Sequence, residues 1–223
     1  MQKFWKRVNR GLLLGGALLV ILVCFVVIKE VQFRMEVPQI CNRARDAVEA
    51  MLELNVSQTP PTIGQVRTEA VKASQRARME TMLSKYWDAD ADGGYYSGAD
   101  NVRDAYETYL NEPVRACFFE IEMNLSDRSI EVRQNGTDYA VVSFELENLA
   151  ARYRGDGETI FVGECYGSEG GDSDALGEYV GSYYGYVEME MHRKDGEWRV
   201  CGIYTTLYMT NKTPAQTETG GNE

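Results

Sequence analysis

One histidine stands among 223 residues, and that scarcity excludes the most. A His-rich metal centre, or a catalytic machinery built on imidazoles, needs more than His192 alone. Basic residues are in the minority. The 23 Lys plus Arg against 34 Asp plus Glu leave a formal charge of −11, so a phosphate backbone is repelled and nucleic acid is disfavoured as a partner. No C-x-x-C pair occurs among the five cysteines, which argues against zinc. No internal repeat is present. The first ten residues hold no acid, and Lys3, Lys6, Arg7 and Arg10 give them four positive charges, so the remaining residues carry −15. What is there fits one ordinary globular domain: 44% hydrophobic residues and 26% charged.

Residues 11–28, GLLLGGALLVILVCFVVI, are 18 residues without a charge. At about 1.5 Å per residue they reach about 27 Å, near the thickness of a hydrocarbon core. Phe4 and Trp5 suit the interface before this span, and Lys29 and Glu30 after it cancel. The positive-inside rule then places residues 1–10 in the cytoplasm and everything after the span outside. A cleaved signal peptide would have a shorter apolar core and small residues at its exit, where Val27-Ile28-Lys29-Glu30 stands instead. A lipoprotein would use Cys24, but Ile21-Leu22-Val23 lacks the small residue that precedes a lipidated cysteine. The expectation is a single-pass cell-membrane protein of bacterial layout, with its C-terminal domain extracytoplasmic.

The exported part changes period once. Residues 29–37 read as a connector ending at Pro38, which opens a helix with Ile40, Ala44, Ala47, Val48, Met51 and Leu52 on one stripe. A second helix is predicted over 62–87, with Val66, Ala70, Ala73, Ala77 and Leu83 along one side. Asp100 caps a third, over 101–110. From Cys117 onward apolar and polar residues alternate. Strands are predicted over 117–123, 129–133, 139–153, 159–166, 183–191 and 197–207. Asn135-Gly136, Asp156-Gly157 and Asp195-Gly196 supply turns between them. Cys117 and Phe119 are expected opposite Phe118, with Val187 and Met189 in the core opposite Glu188 and Glu190. Trp198, Val200 and Tyr204 are expected on one face. Residues 167–180 read as a Gly-rich acidic loop, and 210–223 as a polar, disordered tail. The fold class is α+β: three helices packed on a curved antiparallel sheet of five or six strands.

Helices first, then a meander ending in Lys194-Asp195-Gly196-Glu197-Trp198-Arg199-Val200, resembles the nuclear transport factor 2-like superfamily, also called SnoaL-like or cystatin-like. The resemblance covers residues 38–209 and implies a cone with a pocket between helices and sheet. That superfamily hosts isomerases, dehydratases, small-ligand binders and protein-interaction modules, so the resemblance does not choose among them.

Candidate chemistry is sparse. His192 lies two residues before a turn, where a histidine is expected to be solvent-exposed. Asp88, Asp90 and Asp92, followed by Gly93, resemble the first half of a calcium loop, since three alternate carboxylates can converge on one hard cation. The twelfth position is Ala99, so the second half of that loop fails, and the segment reads equally as an acidic helix stop. Calcium is the one cofactor considered. Arg154-Gly155-Asp156 matches an adhesion tripeptide but coincides with a turn, and the sequons at Asn55, Asn124, Asn135 and Asn211 matter only in a glycosylating host. Outside the span, Cys41, Cys117, Cys165 and Cys201 fit either two disulfides or buried thiols. Tyr179, Tyr183, Tyr184 and Tyr186 fit a sheet, a pocket or an interface.

Two functions remain open. One is a membrane-tethered module that binds a protein through a basic patch, in the layout of bitopic scaffold subunits of secretion and conjugation machines. The other is a small-molecule binder or a lyase- or isomerase-type enzyme using the cone. No carboxylate can be placed in an apolar pocket from sequence, which leaves the second without an acid–base pair.

Overall fold

The apolar run and the amphipathic stripe that follows it lie in one helix, α1 (Arg10–Glu53), in a computed structural model that describes residues 10–57, 59–91, 96–124, 130–162 and 177–215. The chain divides into two units, Met1–Pro38 and Gln39–Glu223. In the first unit, α1 is long and apolar enough to cross a membrane, and none of that apolar stretch is buried. The connector expected over 29–37 is itself helical, and Pro38 stands inside the helix instead of opening it. Proline removes one backbone donor, but Lys29, Glu30, Gln32, Arg34 and Glu36 form helices readily. Arg34 Nε also bonds Glu30 Oε1 one turn away at 2.8 Å.

In the second unit, Ile40, Ala44, Ala47, Val48, Met51 and Leu52 are all buried, as their spacing predicts. Helix α2 (Glu69–Tyr86) starts seven residues later than expected, because the Thr68 hydroxyl accepts the Val71 N–H and fixes the first turn there. Its buried stripe is Lys72, Gln75, Met79, Met82, Leu83 and Tyr86, whereas Ala70, Ala73, Ala77 and Val66 are exposed. Small side chains bury little area, so the larger Met, Leu and Tyr choose the face. Lys72 follows them in, its ammonium bonding Asn111 Oδ1 at 2.8 Å. Helix α3 (Ala99–Asn111) begins before Asp100, which sits in the first turn and pairs with Arg103.

Five strands follow: β1 (Ala116–Met123), β2 (Ile130–Gln134), β3 (Tyr139–Gly155), β4 (Glu178–Lys194) and β5 (Glu197–Pro214). All pairings are antiparallel, in the order β1-β3-β4-β5, with β2 sharing β3's edge beside β1. The tail expected from 210 is strand up to Pro214, paired with Tyr179. No strand forms over 159–162. Gly157–Thr159 is a 3₁₀ turn, and the buried Asn55 amide clamps Phe161, accepting its N–H at 2.6 Å and donating to its carbonyl at 2.8 Å. The rest of that expected strand, the acidic loop up to residue 176 and Cys165 lie outside the described residues.

Two bulges overturn the face assignments made from alternation. One between Phe118 and Glu120 turns Phe118 inward against Tyr153, with ring centroids 5.7 Å apart. The other sets Met191 opposite Val200 but Glu190 opposite Gly202, leaving Cys201 as the extra residue. Beyond it Ile203 and Thr205 are buried, and Tyr204 stands opposite Glu188 on the other face from Trp198 and Val200. The buried faces of α1, α2 and α3 and one face of the sheet form the core, where Trp87, Trp198, Tyr106, Tyr153, Tyr183 and Phe144 are the bulkiest members.

Candidate functional site

Along β4, Tyr183, Val187, Met189 and Met191 are buried, so Tyr184, Tyr186, Glu188, Glu190 and His192 occupy the outward face, as alternation requires. Register adds Tyr139, Val141, Ser143 and Glu145 from β3, Glu131 and Arg133 from β2, and Tyr204 and Tyr208 from β5. Two ends of the α2–α3 connection border this face. Trp87 and Ser97 bridge to Val200 and Ile203 on the edge strand, with Asp88 N–H donating to the Val200 carbonyl at 2.9 Å. From there Asp88 and Tyr96 reach over the edge to two clusters.

In the first cluster the Tyr186 hydroxyl donates to Glu188 Oε2 at 2.6 Å, the Tyr96 hydroxyl donates to Oε1, and Arg133 lies 3.8 Å away. The hydrogen bonds from Tyr186 and Tyr96 hold the Glu188 carboxyl below its ordinary range. The same bond, reinforced by burial, pushes Tyr96 up to about 12. In the second, buried Asp88 accepts from Lys194 Nζ at 2.8 Å and lies 3.2 Å from His192 Nδ1. Lys194 also donates to Asp90 at 2.6 Å, and the Tyr139 ring stacks on His192 at 4.5 Å. Burial alone would raise the Asp88 carboxyl, but hydrogen bonds from Lys194, His192 and the Asp90 amide outweigh it and hold the group below the usual range. Hydrogen bonds to Asp88 and Asp90 raise Lys194 in turn.

No protein-family model matches the sequence, and no curated protein is similar to it. Among solved structures, a hexachlorocyclohexane dehydrochlorinase (LinA type 2) is similar at 12% identity, over 85% of this chain and 93% of that one, with a TM-score of 0.35. A scytalone dehydratase-like protein from Novosphingobium aromaticivorans DSM 12444 is similar at 14% identity, over 88% and 99% of the two chains, with a TM-score of 0.37. At these values neither likeness bears on the chemistry of this chain.

The sequence candidates divide accordingly. His192 is not a free hairpin-end imidazole: its side chain is 25% exposed and held between Asp88 and Tyr139. Asp88 and Asp90 do converge, but on the Lys194 ammonium, which a cation at these carboxylates would have to displace. Asp92 lies outside the described residues, among which no three metal-ligating side chains cluster. Of the tyrosines, Tyr183 is buried and donates to the Gly157 carbonyl at 2.8 Å, while Tyr184 is outward and 41% exposed. The adhesion-like tripeptide is consumed internally. Arg154 pairs with Glu178, Asp156 pairs with Arg115, and Gly155 at φ 92 lies so close to the Arg115 carbonyl that a Cβ would sit 2.3 Å from it. Of the Asn55 sequon, the asparagine itself is buried. Cys117 and Cys201 are free, buried thiols, raised by burial and in Cys201 to about 12, so neither supplies a thiolate near neutral pH.

Tyr96, Tyr139 and Arg133 carry the two clusters and went unnoticed in the sequence. Tyr96 is 92 positions from Glu188, and no local pattern reports such a contact. The titratable groups of both clusters satisfy one another. What the outward face leaves open is aromatic and anionic: Tyr139, Tyr184 and Tyr208 are 42%, 41% and 64% exposed, and Glu131, Glu145 and Glu190 make no ion pair among the described residues.

Proposed function

We propose that this chain is a membrane-anchored, extracytoplasmic protein-interaction module of nuclear transport factor 2-like build, whose partner is a protein with a basic patch. The N-terminal basic segment lies in the cytoplasm, the first part of α1 spans the membrane, and the second unit works outside without turnover of its own. One observation carries the reading. The face of the sheet that would line a cone is filled with Phe144, Val187, Met189 and Met191, each at most 2% exposed, while tyrosines, and glutamates without an ion pair among the described residues, stand on the other face. Tyrosine is favoured at protein interfaces, and −15 on the residues after the tenth favours a cationic partner.

Purification of the full chain from its own membranes at low salt should bring one protein in stoichiometric amount, released as ionic strength rises. No companion at low salt would overturn the reading. Protease added to intact cells should digest residues 39–215 and spare the N-terminal peptide; protection of that segment would reverse the topology.

A further inference from the structure

We infer that the docking surface is the outward face of β2–β5, and that its occupant is a Lys- or Arg-bearing segment of a protein partner. The inference rests on the interaction-module reading and adds the location and the chemistry. Charge separates the middle of this face from helices α2 and α3. Helices α2 and α3 together carry five bases and five acids, most of them already in mutual ion pairs. Between the rows of Tyr184 and Glu190 the outward face carries Glu131, Glu145, Glu188 and Glu190 against Arg133 alone, with Asp88 and Asp90 at its border, whereas toward the two ends of the face Arg152 and Arg154 stand opposite Val180 and Glu178, and Arg199 opposite His192. Glu188, Asp88 and Asp90 are held by neighbours, so among the described residues Glu131, Glu145 and Glu190 are anions of this face left for a visitor.

These anions are interleaved with aromatic rings. Glu145 stands opposite Tyr186, and Tyr184 opposite Tyr208. An ammonium or guanidinium approaching Glu145 therefore meets the Tyr186 ring opposite it, and one approaching Glu190 has Tyr139 and Tyr204 in the rows on either side, where cation–π attraction adds to the ion pair. An anionic lipid surface would be repelled by the same groups. The clasps at Glu188 and Asp88 hold the platform: they fix the rotamers of Tyr186 and His192 and tie the α2–α3 connection to its border. They act as positioning residues rather than contacts.

The test uses the full chain in detergent micelles with a fluorescently labelled decalysine peptide as the probe. Removing two acids from the face, Glu145→Gln with Glu190→Gln, should weaken binding about tenfold at low salt, whereas removing two from the helical side, Asp104→Asn with Glu112→Gln, should change it about twofold or less. Tyr184→Ala with Tyr208→Ala removes no charge and should still weaken binding. Melting curves of every variant should stay close to the parent, since all six positions lie at or near the surface. Equal losses from the two acid pairs, or no loss from the tyrosine pair, would overturn the location while leaving the interaction reading standing. Decalysine binding that maps to the face, in a chain that brings no companion from its own membranes, would instead count against that reading. Self-association abolished by the tyrosine pair, without decalysine binding, would assign the face to a second copy and overturn the proposal.

Discussion

The two faces of β4 are made by one stretch of chain and do different work. Tyr183, Val187, Met189 and Met191 are at most 2% exposed, so their side chains report on packing. Their neighbours Tyr184, Tyr186, Glu188, Glu190 and His192 touch solvent, each other, or groups brought from 90 or more positions away in sequence. The contrast teaches that burial fixes the first set through generic hydrophobic area, while the second depends on particular partners. Substitutions on the two faces should therefore fail differently: stability should be lost on the first, and affinity or pH response on the second.

The largest effect belongs to the buried face. Trp198→Ala should cost about 3–5 kcal/mol, read as a lowered urea midpoint, because a large ring is removed from a packed site. A cost below about 1 kcal/mol would place Trp198 on the surface instead. Next is Asn55→Ala, which strands the buried N–H and carbonyl of Phe161 and should cost about 1–3 kcal/mol by the same assay.

Asp88→Asn sits between the two faces, since its carboxylate is buried but its partner Lys194 is about a third exposed. A cost of about 1–2 kcal/mol at neutral pH is expected after discounting for solvent screening. Its pH signature is more specific. The folded carboxyl titrates below its unfolded value, so its contribution is fully present above about pH 4–5 and is lost as pH falls through the folded value. Stability measured from pH 6 down to pH 3 should therefore fall less steeply in the variant; parallel curves would show that the Lys194 and His192 contacts are absent in solution. The smallest effect is that of Tyr184→Ala, within about 0.5 kcal/mol of the parent in denaturation. A larger cost would mean that Tyr184 packs rather than waits for a partner.

Much of the architecture was legible in the sequence because it rests on local periodicity. The stripe from Ile40 to Leu52, the alternation from Tyr183 to Met191 and the Asp195-Gly196 turn, with φ of 52° and 84°, all follow from side-chain spacing or turn chemistry. The errors fell where a nonlocal contact outweighs the pattern. The bulge at Cys201 inserts one residue and reverses every later assignment on β5, which puts Tyr204 on the other face, whereas the one after Phe118 reverses the residues before it and leaves Ile121 and Met123 opposite buried Ala151 and Leu149, as their alternation predicts. Phe161 follows Asn55 rather than a strand, and α2 buries Lys72 because Asn111 meets its ammonium. The candidate site was half visible. Asp88, Asp90 and His192 stand out by residue type, but in the sequence their shared partner Lys194 belongs only to a turn, and Tyr96 carries no signal at all.

The central claim, that one face of the sheet packs while the other receives a cationic partner, is tested most directly by hydroxyl-radical footprinting of the full chain. Tyr139, Tyr184 and Tyr208 should oxidise fast while Tyr106, Tyr153 and Tyr183 stay protected, and decalysine should slow the first set only. Oxidation of Tyr153 and Tyr183 as fast as that of Tyr184, or rates at Tyr184 and Tyr208 that decalysine leaves unchanged while it binds, would contradict the account.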